Sequence, residues 1–82
     1  TGAPRPSELI EVRVPIMDKP GELAIIASLA TELDVNIFDL EMTHSSEGDR
    51  GVVVLLVEKD LAERLSGGLM TRGYRPTLRP LL

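Results

Sequence analysis

Eighty-two residues suit one domain, and a chain this short buries only roughly 60% of its unfolded surface, so a compact core helped by self-association is expected. The chain has no cysteine and no tryptophan, a formal charge of −4, and only Phe38 and Tyr74 as aromatics. This excludes disulfides and thiolate metal sites, and it argues against recognition of a phosphate backbone or of stacked bases.

The charge is uneven along the chain. Residues 1–50 carry four Lys/Arg against ten Asp/Glu, and residues 51–82 carry five against three. Arg72, Arg75 and Arg79 form a small basic end, expected to be a solvated strand edge. No apolar run reaches the ~18 residues of a membrane span and no signal-peptide pattern is present, so a cytoplasmic setting is expected. The chain opens on Thr1, as a piece of a longer protein would.

Residues 1–8, with their prolines and glycine and no apolar periodicity, read as a linker or tail, and residues 9–80 as the domain. From Leu9 to Ile16 the apolar Ile10, Val12, Val14 and Ile16 alternate with Leu9, Glu11, Arg13 and Pro15, the period of a strand with one face on a core. A helix is predicted from about Pro20 to Leu33, with Leu23, Ile26, Ala27, Ala30 and Leu33 on its inner stripe. Period two returns at residues 35–44, "VNIFDLEMTH", with Phe38, Leu40 and Met42 on one face. "SSEGDRG" is dense in turn residues and predicts an antiparallel hairpin into 52–57, "VVVLLV".

That third strand is apolar on both faces, as a central strand would be, and its second face needs a partner. Asp60 to Arg72 predicts a second helix on Leu61, Leu65 and Leu69, kinked or shortened at Gly67-Gly68, with Gly73 as its stop. "YRPTLRP" alternates again, but two prolines confine it to an edge. The order strand, helix, strand, strand, helix, strand is that of an α+β, ferredoxin-like sandwich with a four-stranded antiparallel sheet and both helices on one face.

Enzyme constellations are nearly empty. His44 is the sole histidine and has no second ligand at metal spacing, so it reads as a surface or loop residue, with a ligand contact as the lesser reading. Ser45 and Ser46 beside it imply no triad geometry. Asp39 and Glu41 share a strand face that is better read as solvated or as a dimer edge than as a catalytic pair. No G-x-G-x-x-G, P-loop or C-x-x-C is present, which leaves dinucleotides, triphosphates and soft metals without their binding atoms.

The most informative stretch is 18–23, "DKPGEL". Pro20 suits a helix start because its missing N–H is one the first turn leaves unpaired, Asp18 can cap, and Glu22 complements the helix dipole. Gly21 costs helix propensity but leaves bare backbone, and the N–H groups of Gly21, Glu22 and Leu23 would then point outward to a carboxylate. Plain capping and an anion site are equally compatible with these residues. Asn36, whose amide both donates and accepts, matches the needs of an α-amino acid, though a turn asparagine with left-handed backbone is as good a reading.

At these residues the chain resembles the ACT domain. The pattern is Pro-Gly-x-Leu followed some fifteen residues later by Asn-Ile, within the right element order, and the likeness covers about residues 9–79. "NIFDLEMTHS" and "AERLSGGLMTRGY" are most similar to the C-terminal regulatory ACT domain of actinobacterial prephenate dehydrogenases. The resemblance implies a non-catalytic sensor with no cofactor of its own, pairing as a homodimer through its second strands and binding an amino acid, tyrosine or phenylalanine, at the shared edge. Asp18, Gly21, Glu22 and Leu23 would line that pocket, with Asn36 and Ile37 contributing from the strand and Ile37 packing on the ligand side chain. NAD would belong to the parent enzyme.

Two departures stand out: Asp34 where many members have glycine, and Asp18 where many have asparagine. The alternatives are a dimerisation module with an empty pocket, or the regulatory domain of another enzyme of amino-acid metabolism. An acylphosphatase-like enzyme on the same sandwich lacks the Arg-Asn pair its phosphate loop needs.

Overall fold

The computed structural model describes residues 5, 8–17, 19–45 and 48–81. Six elements follow one another: β1 (Leu9–Met17), α1 (Glu22–Glu32), β2 (Asp39–His44), β3 (Arg50–Glu58), α2 (Lys59–Thr71) and β4 (Thr77–Pro80). The sheet order is β2-β3-β1-β4, and every neighbouring pair is antiparallel. This is the α+β ferredoxin-like sandwich read from the element order.

Register explains the core. Val12 lies opposite Leu55 and Val14 opposite Val53 across the β1–β3 pair. All four are fully buried, together with Ile26 of α1 and Leu65 and Leu69 of α2. One cluster thus joins the alternate residues of two central strands to both helices, so both helices lie on the same face of the sheet. Burying each of these side chains is worth about 1.5–3 kcal/mol relative to leaving it in water. The opposite face carries Val52, Val54 and Leu56 of β3, half-buried, between Thr43, Glu41 and Asp39 of β2 and Pro15, Arg13 and Glu11 of β1. The doubly apolar sequence of β3 reflects these two environments.

Several boundaries differ from the pattern reading. Helix α1 starts at Glu22 and not at Pro20, because Gly21 takes a left-handed φ of 90° at the N-cap. Its buried side is Glu22, Ile26, Leu29 and Ala30. Leu23, expected on the inner stripe, is 36% exposed, and Ala27 is only half-buried. A 3.6-residue period allows two adjacent stripes, and the choice between them is made by Leu29, which the sequence reading left out. Strand β2 begins at Asp39, four residues later than predicted, so Asn36 and Ile37 lie in the connection from α1, although Ile37 still packs on the core.

Helix α2 runs without a break through Gly67-Gly68. A methyl group at Gly68 would lie 2.5 Å from Leu33 Cδ1, so this glycine makes room for the crossing of α1 and does not end the helix. Met70, next to the buried Leu69, is 58% exposed.

Candidate functional site

A cleft of about 450 Å³ opens where β1 ends, α1 begins, β3 begins and α2 gives way to β4. Its apolar floor is Pro15, Ile16 and Met17, and its polar wall is Glu22 and Tyr74. Arg50, Arg72 and Arg75 also line it. The basic end read as a solvated strand edge therefore borders a cavity at two of its three arginines.

Local structure places each group. Gly73, at a left-handed φ of 93°, ends α2: its N–H donates to the Met70 carbonyl and that of Tyr74 to the Leu69 carbonyl, the Schellman pattern. The turn sends the Tyr74 hydroxyl across to donate to Glu22 Oε2. Glu22 is 9% exposed, and Lys19 Nζ approaches its other oxygen at 3.9 Å. A nearly buried carboxylate is thus hydrogen-bonded and faces a cation, as its desolvation requires. Burial, the hydrogen bond to Glu22 and that residue's negative charge together push the Tyr74 hydroxyl up to about 12, opposed by Arg72. The phenol therefore remains a donor throughout the neutral range.

The helix mouth sits beside this cleft. Its N-cap has no side-chain hydrogen bond, and the space where a Gly21 Cβ would stand is open to 4 Å. Of the amides expected to be free, that of Glu22 donates to the Lys19 carbonyl over a long 3.4 Å. The N–H groups of Leu23 and Ala24 have no partner among the described residues. Asp18 lies outside the described residues.

Asn36 and Ile37 are elsewhere. Helix α1, 11 residues long, carries the chain about 16 Å from its mouth before Asn36 is reached. There Asn36 borders a shallow hollow with Thr31, Asp34 and Val35. Within one protomer, then, Gly21, Glu22 and Leu23 are together and Asn36 and Ile37 are apart from them.

Asp34 takes the left-handed turn itself, at φ 59°, with the same two hydrogen bonds that Gly73 supports. His44 is exposed at the end of β2 and lines a hollow of about 220 Å³ with Arg50. Tyr74, Arg72, Arg75 and Arg50 were missed as site residues. The one usable signal was the Arg-Gly-Tyr-Arg run at a helix stop, which fixes where a tyrosine and two arginines emerge. No cluster of three or more His, Cys, Asp or Glu that could hold a metal ion occurs among the described residues, and none of their helices is long and apolar enough to cross a membrane.

The backbone course matches solved structures. It superposes on the ligand-free regulatory subunit of aspartate kinase from Thermus thermophilus with a TM-score of 0.79, at 20% identity, over 90% of this chain and 52% of that one. With the ACT domain of prephenate dehydrogenase from Bacillus anthracis the TM-score is 0.74 at 22% identity, over 82% of this chain and 99% of that one. The fold is that of an ACT domain.

An ACT domain protein from Streptococcus pneumoniae agrees, with a TM-score of 0.63 at 19% identity over 87% of this chain and 86% of that one. The chain spans about half the length of the aspartate kinase subunit and nearly the whole of the B. anthracis ACT domain. No family model matches the sequence, and no curated protein matches it significantly. The ACT likeness is thus carried by the order and packing of elements more than by residue identity.

Proposed function

We infer that this ACT-type domain is a non-catalytic regulatory module that binds a free amino acid at a seam between two copies of itself. The observation that carries the reading is the uncapped mouth of α1: Gly21 in left-handed backbone, open space around it, and the amides of Leu23 and Ala24 unpartnered among the described residues. Such a mouth favours a carboxylate through its aligned amides and the positive end of the helix.

Topology supplies the second half. Strand β2 is an edge, with no further strand beside it among the described residues. It begins at the end of the sheet where α1 finishes and ends where α1 opens. Antiparallel pairing of two β2 edges about a twofold axis therefore brings the start of the partner's β2, and with it the partner's Asn36, toward this copy's helix mouth. The 16 Å that separates Asn36 from Gly21 within a chain is the reason two chains are needed.

The finer reading is a regulatory segment of a prephenate dehydrogenase that senses tyrosine or phenylalanine, with NAD confined to the parent enzyme. It is supported by the likeness to the B. anthracis domain and by the motif resemblance, while the aspartate kinase likeness keeps other enzymes of amino-acid metabolism in play. Binding would act on the parent through unequal affinity for its two states.

A thermal-shift panel of the twenty amino acids, run beside light scattering, tests this. A ligand at 100 times its Kd adds about 2.7 kcal/mol of stability. The expected result is a dimer that tyrosine or phenylalanine stabilises and an Asn36→Ala variant that still dimerises but no longer responds. A monomer, or a dimer stabilised by no amino acid, overturns the ligand-sensing reading, and the second of these leaves the dimerisation module.

A further inference from the structure

We propose that the cleft between α1, α2 and the end of β1 is a second ligand site, separate from the helix-mouth amides, and that it takes an elongated dicarboxylate with an apolar middle. The chain carries more acids than bases, 13 against 9, so a cation in it should find a carboxylate easily. Arg72 does, with Glu32 3.7 Å away. Arg50 and Arg75 do not: neither has an ion pair among the described residues, and both face the cleft.

Their placement follows from the register. Arg50 on β3 lies opposite Met17 of β1. On the other side of β1, Thr77 of β4 lies opposite Arg13, so Arg75, two residues earlier in an antiparallel run, falls beside Pro15. The two guanidiniums thus arise on either flank of Pro15–Met17, from backbones two strand spacings, roughly 10 Å, apart.

Cations at both flanks over an apolar floor fit a molecule charged at both ends and apolar between. Each guanidinium can hold a carboxylate through paired N–H donors, and the floor loses water when the middle of the ligand covers it. A compact anion such as phosphate has no apolar middle and leaves the floor in water. The Glu22 carboxylate, already held by Tyr74 and Lys19, closes the inner wall and keeps the ligand's charges at the rim.

The probe is pimelate, a seven-carbon dicarboxylate, followed by backbone amide NMR shifts at Arg50, Gly73 and Tyr74 of the whole chain. Heptanoate has the same length and one charge, succinate has two charges too close together, and inorganic phosphate is compact. The expected result is saturable binding of pimelate, with heptanoate, succinate and phosphate each about tenfold weaker or more, and a loss of about tenfold in each of Arg50→Gln and Arg75→Gln. Both arginines are exposed, so the variants stay folded, which the unchanged dispersion of the remaining amides verifies.

Heptanoate binding as tightly as pimelate, or pimelate binding unchanged in both variants, overturns the two-cation clamp. No shift with pimelate at millimolar concentration overturns the site. Asn36→Ala separates this result from the seam reading: it should abolish any amino-acid response and leave pimelate binding intact, and pimelate binding lost in that variant would place the ligand at the seam and overturn the proposal.

Discussion

The two helices end in the same way and lead to different things. Each closes with a left-handed residue flanked by the two Schellman hydrogen bonds, Asp34 after α1 and Gly73 after α2. After Asp34 comes Val35, 4% exposed, which turns inward and seals the core. After Gly73 comes Tyr74, which crosses to Glu22 and forms the wall of a cleft. A backbone motif fixes where the chain goes; the next side chain decides whether that place becomes packing or a site. The difference between Asp and Gly is also physical: a φ of 59° is within reach of an L-residue with a short polar side chain, whereas 93° is not.

The largest test of this contrast is Tyr74→Phe. It should cost about 2 kcal/mol in denaturant-determined stability, since it leaves a nearly buried Glu22 carboxylate with only Lys19 at 3.9 Å. No loss would mean that α2 merely stops there. The same contact has a nearly equal signature in pH. The hydroxyl is raised from its ordinary 10.0 to about 12, so the folded state holds a proton that the unfolded chain releases first. Its contribution is complete below about pH 10 and disappears as pH rises through about 12. The stability gap between the parent chain and Tyr74→Phe should accordingly narrow between about pH 10 and about pH 12; a gap that widens there breaks the assignment.

Next in size is Gly73→Asp, expected to cost about 1–2 kcal/mol through the strained turn, read as a lowered midpoint in chemical denaturation. Smallest is the reciprocal change, Asp34→Gly. Relief of left-handed strain is partly offset by the greater freedom of glycine in the unfolded chain, for a net gain of up to about 1 kcal/mol. Equal effects of the same sign at the two turns would erase the distinction drawn between them.

Much of the architecture was legible in the residues. Alternation in β1 and the apolar run of β3 read correctly because a period of two admits one register against a core. The helices were found, but the inner stripe of α1 was turned by about one residue and its start was placed two residues early, since local pattern cannot tell which neighbouring surface a helix will meet. At the site, the Gly21 region was singled out for its backbone; there the Glu22 amide meets the Lys19 carbonyl, and those of Leu23 and Ala24 have no partner among the described residues. The cleft residues were missed because Arg72, Tyr74 and Arg75, on the α2–β4 connection, meet Glu22 of α1 and Arg50 of β3 only through the fold, and no spacing rule connects those three segments.

The sequence by itself determined the element order, the sheet-forming alternation and the two helix stops. These depend on neighbours within a few residues, where sterics and period are decisive. Tertiary structure alone decided that Tyr74 meets Glu22 across 52 positions of chain, that Arg50 and Arg75, without an ion pair among the described residues, line one cleft at the end of β1, and that Gly21 and Asn36 stand at opposite ends of one helix. Such juxtapositions come from how strands are ordered and helices cross, and burial of the shared core sets that order.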